Sequence, residues 1–138
     1  CFLLATTESN PAIPTGAWGS LWPSWGPSVS QELMLQMNLR LAPVALAYVT
    51  DHAEASIVLV DESLLPVAEA LVEQGVGVKT WVVMTDKPLS EISTTLPGVV
   101  HWEDALTAAE STFDWPMIDE TSAYSACYTT GTTGTGTA

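Results

Sequence analysis

Positive charge is the scarcest thing in this chain. Only three of its 138 residues are basic, Arg40, Lys79 and Lys87, against 16 acidic ones, for a formal net charge of -13. Binding to nucleic acid needs clustered cations, and so does binding to an anionic membrane surface, so both are excluded as functions. The acidic residues are spread along the chain and read as a solvated surface. Cysteine is equally sparse. Cys1 and Cys127 lie far apart, no disulfide framework is implied, and the cytoplasm is the default compartment. Cys127 stands in an apolar run and is expected as a buried thiol. No apolar run approaches the ~18 residues of a membrane span. The opening Cys1-Phe2-Leu3-Leu4-Ala5 lacks the length and basic flank of a signal peptide. The chain does not begin with Met, and a fragment or processed product is the expectation.

Chemical motifs are also few. His52 and His101 are the only imidazoles, and no Cys/His/carboxylate spacing suits zinc. No Gly-x-Ser-x-Gly elbow is present, which excludes a standard α/β-hydrolase. Asp51, His52 and Ser56 suggest a triad only superficially, because Ser56 opens an apolar strand and points elsewhere. His52 is better read as a helix-end charge. The pairs Asp61-Glu62, Glu103-Asp104 and Asp119-Glu120 read as helix starts or solvated corners, not acid/base dyads.

What is present is an α/β pattern. Ser56-Ile57-Val58-Leu59-Val60 and Thr80-Trp81-Val82-Val83-Met84 are continuous apolar, β-branched runs. Such runs suit strands covered on both faces, as in a parallel sheet. Between them, residues 62–74 repeat apolar groups at helical spacing, and Gly75-Val76-Gly77 ends that helix. Strand, helix and strand in thirty residues predict a βαβ unit. Pro43 at a first helical turn opens an earlier helix, and residues 28–39 carry Leu33, Met34 and Met37 at helical spacing. Residues 99–102 predict a short strand, 103–111 a short helix, and 123–128 a last, buried strand. The fold class expected is α/β: a three-layer, partial Rossmann-like parallel sheet with flanking helices. Residues 1–35 form a separate, irregular Trp/Pro-rich segment, and residues 36–138 the α/β part. Trp18, Trp22 and Trp25 carry enough apolar area to pin a loop on the core, or to form an associating patch.

After the last strand comes Tyr128-Thr129-Thr130-Gly131-Thr132-Thr133-Gly134-Thr135. Glycines let backbone approach a ligand closely, and hydroxyls and free amides suit phosphate oxygens. The composition alone leaves two readings open, a phosphate cradle or a flexible tail.

This stretch resembles the phosphate loop of adenylate-forming enzymes, the acyl-CoA synthetase and luciferase superfamily, whose pattern is Tyr-(Ser/Thr)-Ser-Gly-Thr-Thr-Gly-x-Pro-Lys-Gly. The chain keeps the pattern through Thr135, with Thr130 in place of Ser. Gly136, Thr137 and Ala138 then stand where the family has Pro, Lys and Gly. Two further stretches are similar to fatty-acyl-CoA synthetases. One runs Asn38-Leu39-Arg40-Leu41-Ala42-Pro43, then Leu46-Ala47-Tyr48 and His52-Ala53-Glu54. The other is Asp114-Trp115-Pro116-Met117-Ile118-Asp119-Glu120-Thr121. The resemblance spans roughly residues 36–135. It implies the N-terminal nucleotide-binding part of a fatty-acid–CoA ligase, which forms an acyl-adenylate from ATP, with Mg²⁺, and then an acyl-CoA. It implies Thr129, Thr130, Gly131, Thr132, Thr133 and Gly134 as the phosphate-holding residues, and a small carboxylic acid as substrate. Without the loop lysine, the full reaction is not expected of this chain alone. Two other functional classes stay open. One is a small esterase acting on an ester substrate, its nucleophile among Ser20, Ser24, Ser28, Ser56 and Cys127. The other is a non-catalytic fragment that forms a homo-oligomer through uncovered sheet faces.

Overall fold

The computed structural model describes residues 3–7, 33–109, 117, 119–121, 123 and 125–128. Its elements are β1 (Leu3–Thr7), β2 (Leu33–Gln36), α1 (Pro43–His52), β3 (Ile57–Asp61), α2 (Leu65–Glu73), β4 (Thr80–Met84), β5 (Val99–His101), α3 (Trp102–Ala108) and β6 (Ser125–Ala126). The strands form one sheet in the order β5-β4-β3-β1-β2-β6. Ile57 pairs with Thr80 and Asp61 with Met84 in a parallel ladder, and β5 extends it, again parallel, through Trp81 and Val99. The predicted βαβ unit is therefore present, with α2 as its crossover. β6 pairs parallel to β2 through Met34 and Ser125. β1 is antiparallel to both β2 and β3. Five strands thus share one direction and β1 opposes them from the middle of the sheet.

Side chains alternate across β3 and β4, as a pleated strand requires. Val58, Val60, Trp81 and Val83 face the layer that holds Leu46, Val49, Ala68 and Leu71 of α1 and α2. Ile57, Leu59 and Val82 form the opposite face with Met34, Met84 and Trp102. Both faces are buried, which is why these runs are apolar at every position. The two covered faces give the three-layer α/β arrangement expected. Among the described residues, β3 and β4 therefore have neither face uncovered. Trp81 is fully buried, and its indole N–H has no acceptor among the described residues.

Helix ends follow local chemistry. Asp61 accepts from Ser63 N–H at 2.9 Å and starts a 3-10 turn that leads into α2. The Ser63 bonds also hold the Asp61 carboxyl below its ordinary value. Gly75, at φ +83°, closes α2: its N–H reaches Val72 O and Val76 N–H reaches Leu71 O. α1 closes the same way, through Glu54 N–H to Asp51 O and Ala55 N–H to Thr50 O, but with Glu54 at φ +51° where glycine is preferred.

Two expectations fail here. Residues 33–36 are strand, not helix. Leu35 and Met37 are buried on one side of the sheet, while Met34 turns to the opposite face with Ile57, Leu59 and Val82 and Gln36 is exposed, a period of two that the sheet imposes over the helical propensity of Leu, Met and Gln. The last strand is only two residues long at the sheet edge, so Cys127 just past it is an exposed thiol. Trp18, Trp22 and Trp25 lie outside the described residues.

Candidate functional site

The described chain reaches its candidate site at Tyr128, immediately before Thr129, Thr130, Gly131, Thr132, Thr133 and Gly134. Those six residues lie outside the described residues, as do Ser20, Ser24 and Ser28. What the structure gives is the platform at the loop's entry. β6 runs along β2, and two residues later Tyr128 meets the last turn of α1. His52 Nδ1 and Tyr128 Oη are 2.6 Å apart and hydrogen-bonded. The two rings meet edge to face, with centroids 5.7 Å apart. Tyr48, one turn earlier on α1, lies tilted against the other side of the contact at 5.5 Å from His52. Burial raises the Tyr128 phenol above its ordinary value. The phenol O–H can donate to Nδ1, or an Nδ1–H can donate to the phenol oxygen, according to the tautomer of the ring.

The sequence makes this platform through α1. Asn38 Oδ1 accepts from Arg40 N–H at 3.1 Å, and Leu41 N–H bonds Asn38 O, folding the turn before the helix. Ala42 is the N-cap and Pro43 occupies the first turn. Leu46, Ala47, Val49 and Thr50 turn inward, and Thr50 Oγ1 donates to Leu46 O at 2.8 Å. That leaves Val44, Tyr48 and His52, four apart, on the outer face. Asp51 Oδ1 accepts from Gly77 N–H at 3.0 Å and ties the end of α1 to the start of β4. Asp51 is thus engaged with Gly77, His52 with Tyr128, and Ser56 is buried at the mouth of β3: no triad assembles.

A second polar cluster sits past the carboxyl ends of β3, β4 and β5. Lys87 Nζ pairs with Glu62 Oε1 at 2.5 Å, and Thr85 Oγ1 donates to Glu62 Oε2 at 2.7 Å. The Lys87 and Thr85 bonds lower the Glu62 pKa. His101 is buried beside it: Nε2–H donates to Lys87 O at 3.0 Å, and Nδ1 accepts from Glu103 N–H at 3.2 Å, capping α3. Both ring nitrogens are used structurally. Asp119 accepts from Thr121 N–H at 2.8 Å in an exposed turn. The carboxylate pairs are therefore corners and helix starts, as their sequence positions suggested. No group of three His, Cys, Asp or Glu among the described residues can hold a metal ion. No helix among them is long and apolar enough to cross a membrane.

Comparison with known proteins converges on one group. No protein-family model matches the chain. A medium-chain-fatty-acid–CoA ligase of Ectopseudomonas oleovorans is 37% identical over 98 residues, which is 71% of this chain and 18% of that protein. A 3-methylmercaptopropionyl-CoA ligase of Ruegeria lacuscaerulensis is 34% identical over the same length and shares. The chain is a relative of the acyl-CoA ligases. A long-chain-fatty-acid–CoA ligase of Thermus thermophilus adds 36% identity over 97 residues, 70% of this chain and 16% of that protein. The fold agrees. A crystal structure of an anthranilate CoA ligase in complex with anthranoyl-AMP superposes at a TM-score of 0.59, with 21% identity, over 72% of this chain and 18% of that one. The chain therefore spans less than a quarter of the length of the acyl-CoA ligases it matches.

Tyr48 and Tyr128 were not assigned a role from sequence. The available signal was the four-residue spacing of Tyr48 and His52 within a run already similar to acyl-CoA ligases. Nothing local could pair His52 with a residue 76 positions away.

Proposed function

We propose that this chain carries the phosphate-binding element of an acyl-CoA ligase. In this reading Thr129, Thr130, Gly131, Thr132, Thr133 and Gly134 hold the phosphates of ATP while a carboxylic acid is activated. The observation that carries it is the order of parts. A strand in an α/β sheet leads through an anchored Tyr128 into a Thr/Gly run that keeps the ligase pattern, in a chain related to ligases over about 98 residues. Hydroxyls and free amides are the donor set that phosphate needs. ATP, when bound, supplies the adenylyl group. The chain's own contribution is to bind and orient the phosphates.

That contribution is partial. Catalysis of this class rests on positioning and on charge stabilisation. The chain has Thr137 where the family has its loop lysine, and Lys87 is already paired with Glu62. The described residues hold no metal cluster that could take the place of that cation. We therefore propose that the chain alone does not complete acyl-CoA formation. Calorimetric titration with ATP, of the natural chain beside a Thr132→Ala/Thr133→Ala variant, tests the reading. Weak binding that the variant abolishes supports it, and equal binding by both overturns it. Self-association would use the sheet edges at β5 and β6, or the Trp18, Trp22 and Trp25 patch. A mass that rises with concentration in light scattering would support it, and a constant monomer mass would end it.

A further inference from the structure

The contact between the end of α1 and the end of β6 has a use beyond packing. β6 has just two residues, and a ladder that short holds its strand weakly. Ser125 and Cys127 are exposed, and only Ala126 and Tyr128 turn inward. The segment nevertheless leads directly into residue 129. Among the described residues, a side-chain bond reaches it from α1: Tyr128 Oη with His52 Nδ1, at 2.6 Å, with the rings edge to face. His52 itself is fixed. It closes α1, it lies against Tyr48, and its neighbour Asp51 is bonded to Gly77 at the start of β4. Beyond the short β2–β6 ladder and the packing of Ala126 and Tyr128 on the core, this hydrogen bond is what ties the entry of the Thr/Gly loop to α1.

We propose that His52 is a positioning residue: through Tyr128 it sets where the chain leaves β6, and hence where residues 129–134 begin. Its role in phosphate binding rests on the reading above, while the anchoring itself does not. A group acting this way touches no substrate. It narrows the conformations of a loop whose donors must converge on one anion, and that preorganisation is lost if the entry point drifts.

Amide exchange followed by NMR on the whole chain tests it. Tyr128→Phe keeps the ring and removes the hydroxyl. His52→Leu removes the ring nitrogen that bonds the phenol. His52→Asn places an amide oxygen where Nδ1 stands. The expected result is a loss of about five-fold in protection at residues 126–128 in Tyr128→Phe and His52→Leu, the size of one neutral hydrogen bond. The double variant loses no more than either single change, and His52→Asn recovers most of the protection. Protection of Val82 and Val83 in β4 stays unchanged, which separates a local anchor from a general loss of stability. Unchanged protection in Tyr128→Phe, or additive losses in the double variant, overturns the proposal. If the natural chain shows no ATP-induced shifts but the exchange pattern holds, the phosphate-loop reading fails and the anchor stands.

Discussion

Gly98 is the position where a single added carbon does most damage. It lies between the polar loop and β5, at φ +61°, and its carbonyl accepts from Trp81 N–H at 3.3 Å. A Cβ there would stand 2.8 Å from the Lys79 carbonyl oxygen. Two costs add in Gly98→Ala. The left-handed backbone costs an L-residue about 1–2 kcal/mol. The contact is with backbone, which no rotamer change can relieve, and forcing β5 away from β4 costs roughly 1–2 kcal/mol more. Gly75→Ala isolates the first cost, because Gly75 has φ +83° and nothing within 4 Å of the added carbon. Gly77→Ala has neither problem, since its φ is ordinary and its surroundings are open. Urea unfolding of the three variants should therefore rank them: Gly98→Ala about 3 kcal/mol less stable, Gly75→Ala about 1 kcal/mol less stable, and Gly77→Ala near neutral. The first loss is large against the ~5–15 kcal/mol of a whole domain. Equal losses at Gly98 and Gly75 would refute the steric part of the reasoning and the placement of β5 beside the turn before β4.

Three further outcomes follow from other sites. Glu54→Gly should stabilise the chain by about 1 kcal/mol in thermal unfolding, because it relieves φ +51° at the end of α1; a loss would mean the Glu54 side chain has a role of its own. Trp81→Phe should lose about 1–2 kcal/mol and Trp81→Ala about 3–5, since Phe keeps most of the buried area and removes an indole N–H that has no acceptor among the described residues. Stability should also fall in acid. Asp61 is lowered by Ser63, and Glu69 by the Thr95 backbone N–H and the Thr94 hydroxyl. A carboxyl lowered in the folded state stabilises above its unfolded value and loses that effect as pH falls through the folded one. The loss therefore begins below the ordinary values of 3.8 for Asp and 4.5 for Glu, and Glu69→Gln should flatten part of it in a pH series of melting temperatures.

The parts legible in the sequence were those where local pattern and tertiary role agree. Ile57 to Val60 in β3 and Trp81 to Met84 in β4 are continuously apolar because both faces are covered, and α2 ends at the glycine that a left-handed cap demands. The reading failed where the sheet overrode local preference. Residues 33–36 carry helix-forming side chains, yet they add a strand whose paired residues are distant in sequence. β1 gave no sign of its antiparallel insertion, because strand order is set by pairing across the fold and not by composition. Cys127 looked buried because apolar neighbours were counted, while the strand they belong to is a two-residue edge. The site shows the same division. The Thr/Gly run is legible as a phosphate cradle from its resemblance to the ligase loop, and it lies outside the described residues. The His52–Tyr128 bond that reaches its entry could be found only in three dimensions.

The central claim is that residues 129–134 receive the phosphates of ATP. The most direct measurement is an ATP titration followed through the backbone amide resonances of the isotopically labelled chain. The account predicts saturable shifts at Thr129 to Gly134, strongest at Gly131, Thr132, Thr133 and Gly134, with a Kd above about 1 mM, because the chain is strongly anionic and Thr137 stands where the family has its loop lysine. No shift in these residues at saturating ATP, or shifts confined to another surface, would contradict it.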